Sequence, residues 1–450
     1  MNGLIAARAQ TGTSLGFHIV FASLGVGLPL LLFIVEGLGL RTKDKTWFVL
    51  ARRWSKAFAI LFVVGAVSGT ILSFEFGLLW PRFMGFATSV IGLPFALEGF
   101  MFFLEAIFLG LYLYGWDRLT PRVHWLCSIP LVVGGAGSSW FIVTVNSWMN
   151  TPAGFQVSHG QAVDVNPIAA IFNPSTPAET LHMLLSCYEA TGFGVAAVYA
   201  LLMLRGGVNE YLRRGLVVAL LVGSIAAVLQ AYSGDLLAKT VARTQPAKLA
   251  AMEGQFPTEQ GAAEHIGGWP DPTTHKLYYS IDIPHLLAWL AFGNPNATVR
   301  GLDSFPPDDQ PPVQVVHLTF DAMVGIGIFT IAVALLFWAQ YAWRKRKGQR
   351  GLPQNRLTLL AVIASGPLTF LAIEFGWITT CIGRQPWIIY GIMRVQDAVT
   401  NAPGLGLFFG GFTSIYIILS ITTIILLTRM AREGVTRDER AAERAAPQVA

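Results

Sequence analysis

Nine apolar stretches recur along the chain between polar connections, at roughly 15–40, 57–80, 91–115, 124–149, 181–204, 215–238, 315–343, 357–382 and 404–428. A membrane-spanning helix needs about 20 predominantly apolar residues. Hydrocarbon offers nothing to an unpaired backbone group, so such runs fold as helices. The pattern predicts an all-α polytopic membrane protein with nine transmembrane helices. Its one long interruption, 239–312, holds ten of the 24 prolines and charges of both signs. Connections longer than about 15 residues are usually functional or disordered. Within it, 283–292 is apolar but too short to span, and is expected at the membrane interface or packed on the bundle. No internal repeat is visible, which argues against an inverted-repeat transporter. The organisation expected is helices one to six over 1–238, the long loop over 239–312, helices seven to nine over 313–430, and a tail over 431–450.

Charge gives these helices a direction, because basic residues accumulate on the cytoplasmic side. The first connection carries Arg41, Lys43, Lys45, Arg52, Arg53 and Lys56, whereas the second carries only Arg82. Along the chain, alternate connections and the tail hold 22 basic residues against 9 elsewhere. This predicts an outside N-terminus, a cytoplasmic C-terminus and an external long loop. The apolar run after Arg8 lacks a convincing small-residue cleavage site and reads as a retained first span. Composition agrees: of 450 residues 53% are hydrophobic and 13% charged, with mean hydropathy +0.54, where soluble domains carry about 25% charge. The net charge of +5 comes from clusters beside the spans and is no signal for nucleic acid. Cys127, Cys187 and Cys381 form neither CxxC nor CxxCH, which excludes covalent c-type haem attachment.

Against that background the polar residues inside the spans stand out. An ionisable side chain costs at least about 2.5–3.5 kcal/mol at the bilayer centre, so it is rare without a partner or a task. His18, His182 and His317 open the first, fifth and seventh spans from the outside, with Met323 beside His317. Glu98 lies in the third span; Glu374 and Cys381 lie near the outer end of the eighth. All are expected in the outer third of the bilayer. Neutral imidazole and thioether are good axial ligands for haem iron, although a lone buried histidine is more often a satisfied core residue. Glu98 and Glu105 are seven residues apart, hence on one helix face about 10 Å apart along the axis. That spacing suits a proton path, and equally suits buried carboxylates hydrogen-bonded to a neighbouring helix.

Several stretches together resemble subunit I of the cytochrome bd family of quinol oxidases, from about Arg8 to Arg429. They are FHIVFASLGVGLPLLLFIVE around His18, LPFALEGFMFFLEAIFLGLYLYGWDR around Glu98 and Glu105, VNSWMNTPAGF around Asn146, and LHMLLSCYEATGF around His182. GDLLAKTVARTQPAKLAAMEG enters the long loop, HLTFDAMVGIG surrounds Met323, and GWITTCIGRQPW lies near residue 380. The resemblance implies a copper-free enzyme of a bacterial or archaeal cytoplasmic membrane that oxidises quinol near the outer face. It would reduce dioxygen to water beside a subunit II, with or without small single-span subunits. It matches His182 and Met323 to the axial ligands of a low-spin haem b. His18 matches a ligand of the oxygen-reducing site, which holds a high-spin haem b and usually haem d. Lys248 and Glu253 match a quinol-contacting pair in a loop of the short form; sequence context alone would make them ordinary solvated charges. Glu98 and Glu105 match carboxylates of the haem site and its proton supply, and Trp377, Arg384 and Trp387 match the residues around that site.

Two positions depart from the family pattern. Familiar members carry a haem-ligating glutamate where this chain has Cys381, which leaves open both that ligand and whether haem d is present. Glu374, seven residues earlier, or Glu98 is then the expected carboxylate. An arginine often stands where this chain has Asp321, and losing that positive charge is expected to lower the low-spin haem's potential. A diheme cytochrome b would place histidine pairs at both membrane depths, and a proton-coupled transporter would leave the His and Met set unexplained.

Overall fold

The structure, a computed structural model, describes residues 3–349, 351–353 and 355–432. Arg350, Arg437, Arg440 and Arg444, four of the 22 basic residues on the side assigned to the cytoplasm, and tail residues 433–450 lie outside the described residues. Among the described residues nine helical segments are long and apolar enough to cross a membrane. They are α1 (Gly3–Thr42), α2 (Lys45–Leu79), α3 (Pro81–Gly115), α4 (Pro121–Leu126 continuing as Ser128–Asn150) and α5 (Thr176–Gly206). After them come α6 (Glu210–Thr244), α7 (Val313–Arg346), α8 (Arg356–Ile382) and α9 (Leu405–Arg432).

Most of these helices overrun the apolar stretches that predict them. Hydropathy sees only the lipid-facing core, whereas capping extends each helix into polar surroundings. Asp44 caps α2 by accepting from the Thr46 amide at 2.9 Å, Asn209 caps α6 through Leu212 at 2.8 Å, and Asn355 caps α8 through Thr358 at 2.7 Å. Such side chains satisfy amide groups that the first turn leaves unpaired. Arg344, Lys345 and Arg346 end α7, where cations meet the negative end of the helix dipole.

Small residues let the helices cross closely, the usual device where apolar burial cannot drive helix association. A Cβ on Gly192 of α5 would lie 2.5 Å from the Gly223 backbone of α6. One on Gly27 of α1 would lie 2.1 Å from Thr191, and one on Gly366 of α8 would lie 2.6 Å from Ala197. These contacts put α5 at the centre: 61% of its most apolar window is buried, against 11% for α9. Leu31, Leu32, Phe58, Tyr112 and Leu216 are fully buried in the largest apolar cluster.

The long connection is an ordered cap. Pro246–Met252 is a short buried helix, and Leu286–Phe292 is a second whose Leu287, Ala288 and Ala291 face inward. The apolar 283–292 stretch therefore packs on the bundle. Glu264–Ile266 pairs antiparallel with Ile281–Ile283, and Trp269–Asp271 with Lys276–Tyr278. Leu249, Met252, Phe256 and Leu287 form one cluster with Val241 of α6 and Val313 and Val316 of α7. Arg394, after α8, ion-pairs with Asp309 at 2.5 Å and ties down the far end of the cap. The face covered by this segment is called the loop face below.

Candidate functional site

α5, α6, α7 and α8, with the short helix Pro246–Met252, line a half-open cavity of about 420 Å³. His182 of α5 and Met323 of α7 both line it, together with Lys248 and Glu253 from the cap and Trp377 from α8. The Nδ1 atom of His182 is 3.0 Å from the Ser233 hydroxyl, and its Nε2 is 3.1 Å from the Gln230 side-chain amide. Glycines lie against both ligand candidates, most tightly at Met323. A Cβ at Gly234 would lie 3.4 Å from His182 Cε1, and one at Gly376 would lie 3.0 Å from the Met323 sulfur.

Lys248 and Glu253 are not the solvated charges that sequence context favours. Each is 4% exposed. Lys248 Nζ donates to Thr380 Oγ1 at 3.1 Å and to Gln245 Oε1 at 3.3 Å. Burial pushes its ammonium down to about 8, with Glu179 opposing and Arg384 adding to the shift. Burial also lifts Glu253 well above the usual carboxylate range, helped by the negative charges of Glu264 and Asp321. Glu264 is raised as well, by burial first and then by Asp321. Next to Glu264 on its strand, His265 bridges Gln255 at 3.0 Å and the exposed Asp282 at 2.8 Å.

Arg384 belongs to the wall behind Lys248. Its NH1 donates to Asn150 Oδ1 at 3.0 Å and to Asn146 Oδ1 at 3.3 Å, while both asparagines donate to Glu179. Burial lowers the Arg384 guanidinium from its usual value, and Cys381 and Glu179 oppose the shift. Cys381 is a free thiol beside this cluster. Trp387 is not among the cavity residues; its ring lies 4.9 Å from the Arg394 guanidinium carbon. His317 is a satisfied core histidine, with Nδ1 2.8 Å from the Met252 carbonyl and Nε2 3.6 Å from Asp321.

The other predicted residues are distributed among α1 to α4 and the α1-facing side of α8. His18 Nδ1 lies 3.0 Å from the Ser68 hydroxyl of α2, and a Cβ on Gly69 would come within 2.9 Å of its ring. Glu374 approaches α1 two residues from His18: a Cβ on Gly16 would lie 3.1 Å from its Oε2. Its Oε1 is buried without a partner among the described residues, as is the Trp377 Nε1. Ser138 of α4 donates to Glu98 at 2.8 Å. Glu105 faces Gly134 and Gly135 of α4, and its buried Oε1 also has no partner among the described residues.

Four polar groups were not singled out in the sequence. Glu179 is the carboxylate between Lys248 and Arg384. Glu189 lines the inner part of the cavity. Near the start of α1, Gln10 and Ser14 both donate to the buried Glu75 of α2. Near its other end, Glu36 accepts from Tyr112 at 2.6 Å and lies 2.7 Å from His124. A carboxylate inside an apolar run was signal enough for Glu189, Glu75 and Glu36. Their partners come from helix crossings that no local pattern encodes.

The donor set fits haem. A histidine and a methionine face one cavity; Ser233 orients one ring nitrogen of His182, and the other, now beside the Gln230 side chain, would serve a metal once that side chain turned away. Comparison with known proteins agrees. The family described as Cytochrome bd terminal oxidase subunit I matches residues 6–435. A Bacillus subtilis protein, provisionally named cytochrome bd menaquinol oxidase subunit I, is 38% identical over 98% of this chain and 100% of its own. The cytochrome bd ubiquinol oxidase subunit 1 of the same species is 31% identical over 97% of this chain and 95% of its own. A chain of the bd oxidase from Geobacillus thermodenitrificans superposes with a TM-score of 0.91 at 37% identity, covering 96% of this chain and 100% of that one.

Proposed function

Because the chain belongs to the cytochrome bd terminal oxidase subunit I family, a family of multi-pass respiratory quinol oxidase subunits, we propose that its cavity is where quinol oxidation meets the first haem. The observation that carries this reading is the convergence of His182, Met323, Lys248 and Glu253 on one cavity. His182 and Met323 would hold a low-spin haem b. His18, with Glu374 as the carboxylate in place of the family's glutamate, would serve the oxygen-reducing site, with a high-spin haem b and haem b or d. Bound there, haem supplies one-electron transfer at the first site and reduction of dioxygen to water at the second.

The residues themselves handle position and protons. Lys248, charged below about pH 8, donates a hydrogen bond to one quinol oxygen. Glu253 accepts the proton of a quinol hydroxyl. A carboxylate whose pKa is raised towards the working pH suits that transfer, and burial beside Glu264 and Asp321 raises it here. Glu264 and the exposed His265–Asp282 pair carry the proton towards the loop face. Asp321, where an arginine is usual, adds negative charge near Met323 and suits a low-potential site. Glu105 and Glu98 lead protons from the cytoplasm to the oxygen-reducing site, with the loop face outside, so that turnover is electrogenic. The chain works beside a subunit II.

Met323→Leu tests the assignment. In the purified oxidase it should turn the low-spin haem high-spin and stop quinol oxidation. An unchanged low-spin reduced-minus-oxidised spectrum would overturn it.

A further inference from the structure

Below the ligand pair lies a second pair of side chains that quinol oxidation at Lys248 and Glu253 does not use. Glu189 follows His182 by seven residues on α5, and Thr330 follows Met323 by seven on α7. Seven residues bring a helix back to nearly the same face about 10 Å further on. The two therefore bridge α5 and α7 in a layer beneath His182 and Met323. Glu189 lines the cavity and is 7% exposed; Thr330 is fully buried.

The hydrogen bonds of Thr330 are the informative feature. Its Oγ1 lies 2.8 Å from Glu189 Oε1 and 2.9 Å from the Gly327 carbonyl. A hydroxyl has one proton to give and can also accept. If Glu189 is ionised, Thr330 must donate to it. If Glu189 is protonated, its own O–H can donate to Thr330, whose proton then turns to Gly327. Both states are satisfied by one hydroxyl rotation, with no other movement. The rest of the cavity at this depth is untitratable: Ala227 of α6, Gly327 and Ile331 of α7, and Thr369 and Ile373 of α8. On α1 the neighbours of this stretch are Ser23 and Gly27. The other ionisable groups of the cavity, Glu179, Asp235, Lys248, Glu253 and Glu264, lie towards the loop face, as does Asp321, and Glu374 faces Gly16 of α1. No cation among the described residues pairs with Glu189.

Such a carboxylate is poorly explained as a structural ion pair and well explained as a compensating charge. Resting on the reading that His182 and Met323 hold a haem, we propose that Glu189 is the group that couples a proton to the electron in this cavity. Ionised, it balances the extra positive charge of the oxidised site. When an electron arrives from quinol, Glu189 takes one proton from water, and its O–H bond forms. When the electron leaves for the oxygen-reducing site, that bond breaks and the proton returns to water. The total charge of the buried layer stays constant, and Thr330 serves both states.

The test is an anaerobic spectroelectrochemical titration of the low-spin haem in the purified oxidase over a pH series. One proton per electron corresponds to a fall of about 59 mV per pH unit, the potential equivalent of a tenfold change for one electron. The parent should approach that slope. Glu189→Gln keeps the shape but cannot ionise, so its potential should lie above the parent's at alkaline pH and lose most of the slope. Thr330→Val removes the donor to the ionised form and should move the sloping region to higher pH. A Glu189→Gln slope parallel to the parent's would overturn the proposal. Should that variant bind no haem, the redox-difference infrared spectrum of the parent decides: reduction must produce a carboxylic-acid carbonyl band, and its absence overturns the proposal equally. Absence of a low-spin haem from the parent, or its persistence in Met323→Leu, would instead count against the haem assignment itself.

Discussion

The α5–α8 half and the α1–α4 half of the bundle both bury ionisable side chains, but arrange them differently. In the first, side chains from four helices and the cap converge on one cavity. In the second, they form separate stations spread along α1: Gln10 and Ser14 with Glu75, then His18 with Ser68, and near the far end Glu36 with Tyr112 and His124. Glu98 and Glu105 of α3 add two more, each against α4. Convergence suits binding of a large group and its electron donor. Apart from His18, proposed for the oxygen-reducing site, such separated stations suit passage of something small through the membrane, and a proton is the smallest candidate.

The sharpest way to break this contrast is to damage one half and read the other. Glu105→Gln should slow steady-state oxidase turnover by about 10²-fold, the usual cost of losing a proton-transfer group. Quinol should still reduce the low-spin haem at the parental rate. If haem reduction slows equally, the two halves are not separate in function.

A smaller effect is expected from pH. Lys248 is held down to about 8 by burial, so its charge, and with it the charge-assisted hydrogen bond proposed to quinol, is present below that pH and lost as pH rises through it. The apparent KM for quinol should climb about tenfold per unit above pH 8. Lys248→Arg, whose guanidinium stays charged, should remove that climb while lowering the maximal rate. A KM that is flat to pH 10 in the parent would sever Lys248 from quinol binding.

The smallest effect concerns Cys381. The thiolate and not the thiol is the metal ligand, and Glu374 is the carboxylate proposed for this site, so Cys381→Ala should change haem content and turnover by less than about twofold. Glu374→Ala should perturb a high-spin haem. The reverse pattern, with a thiolate-type carbon monoxide spectrum in the parent, would make the cysteine the ligand.

Much of this architecture was legible beforehand, and the physical reasons for the remainder differ. Apolar runs specify spanning helices because lipid leaves the backbone no alternative. His18, His182 and Met323 stand out because such side chains are conspicuous in those runs. Lys248 and Glu253 came only through family resemblance, since their burial depends on Pro246–Met252 folding back over α6 and α7. Glu189 was readable as a carboxylate in an apolar run, yet its importance lies in Thr330, 141 positions away. Helix ends were underestimated because Asp44, Asn209 and Asn355 continue the helices beyond the apolar residues.

The central claim is that quinol gives up its electrons in the cavity lined by Lys248, Glu253, His182 and Met323. Stopped-flow mixing of anaerobic, oxidised enzyme with quinol measures that step directly. In Glu253→Gln, reduction of the low-spin haem should slow by about 10²-fold, the cost of losing a positioned base, while its equilibrium spectrum and the reoxidation of reduced enzyme by dioxygen stay as in the parent. Haem reduction at the parental rate in Glu253→Gln would contradict the account.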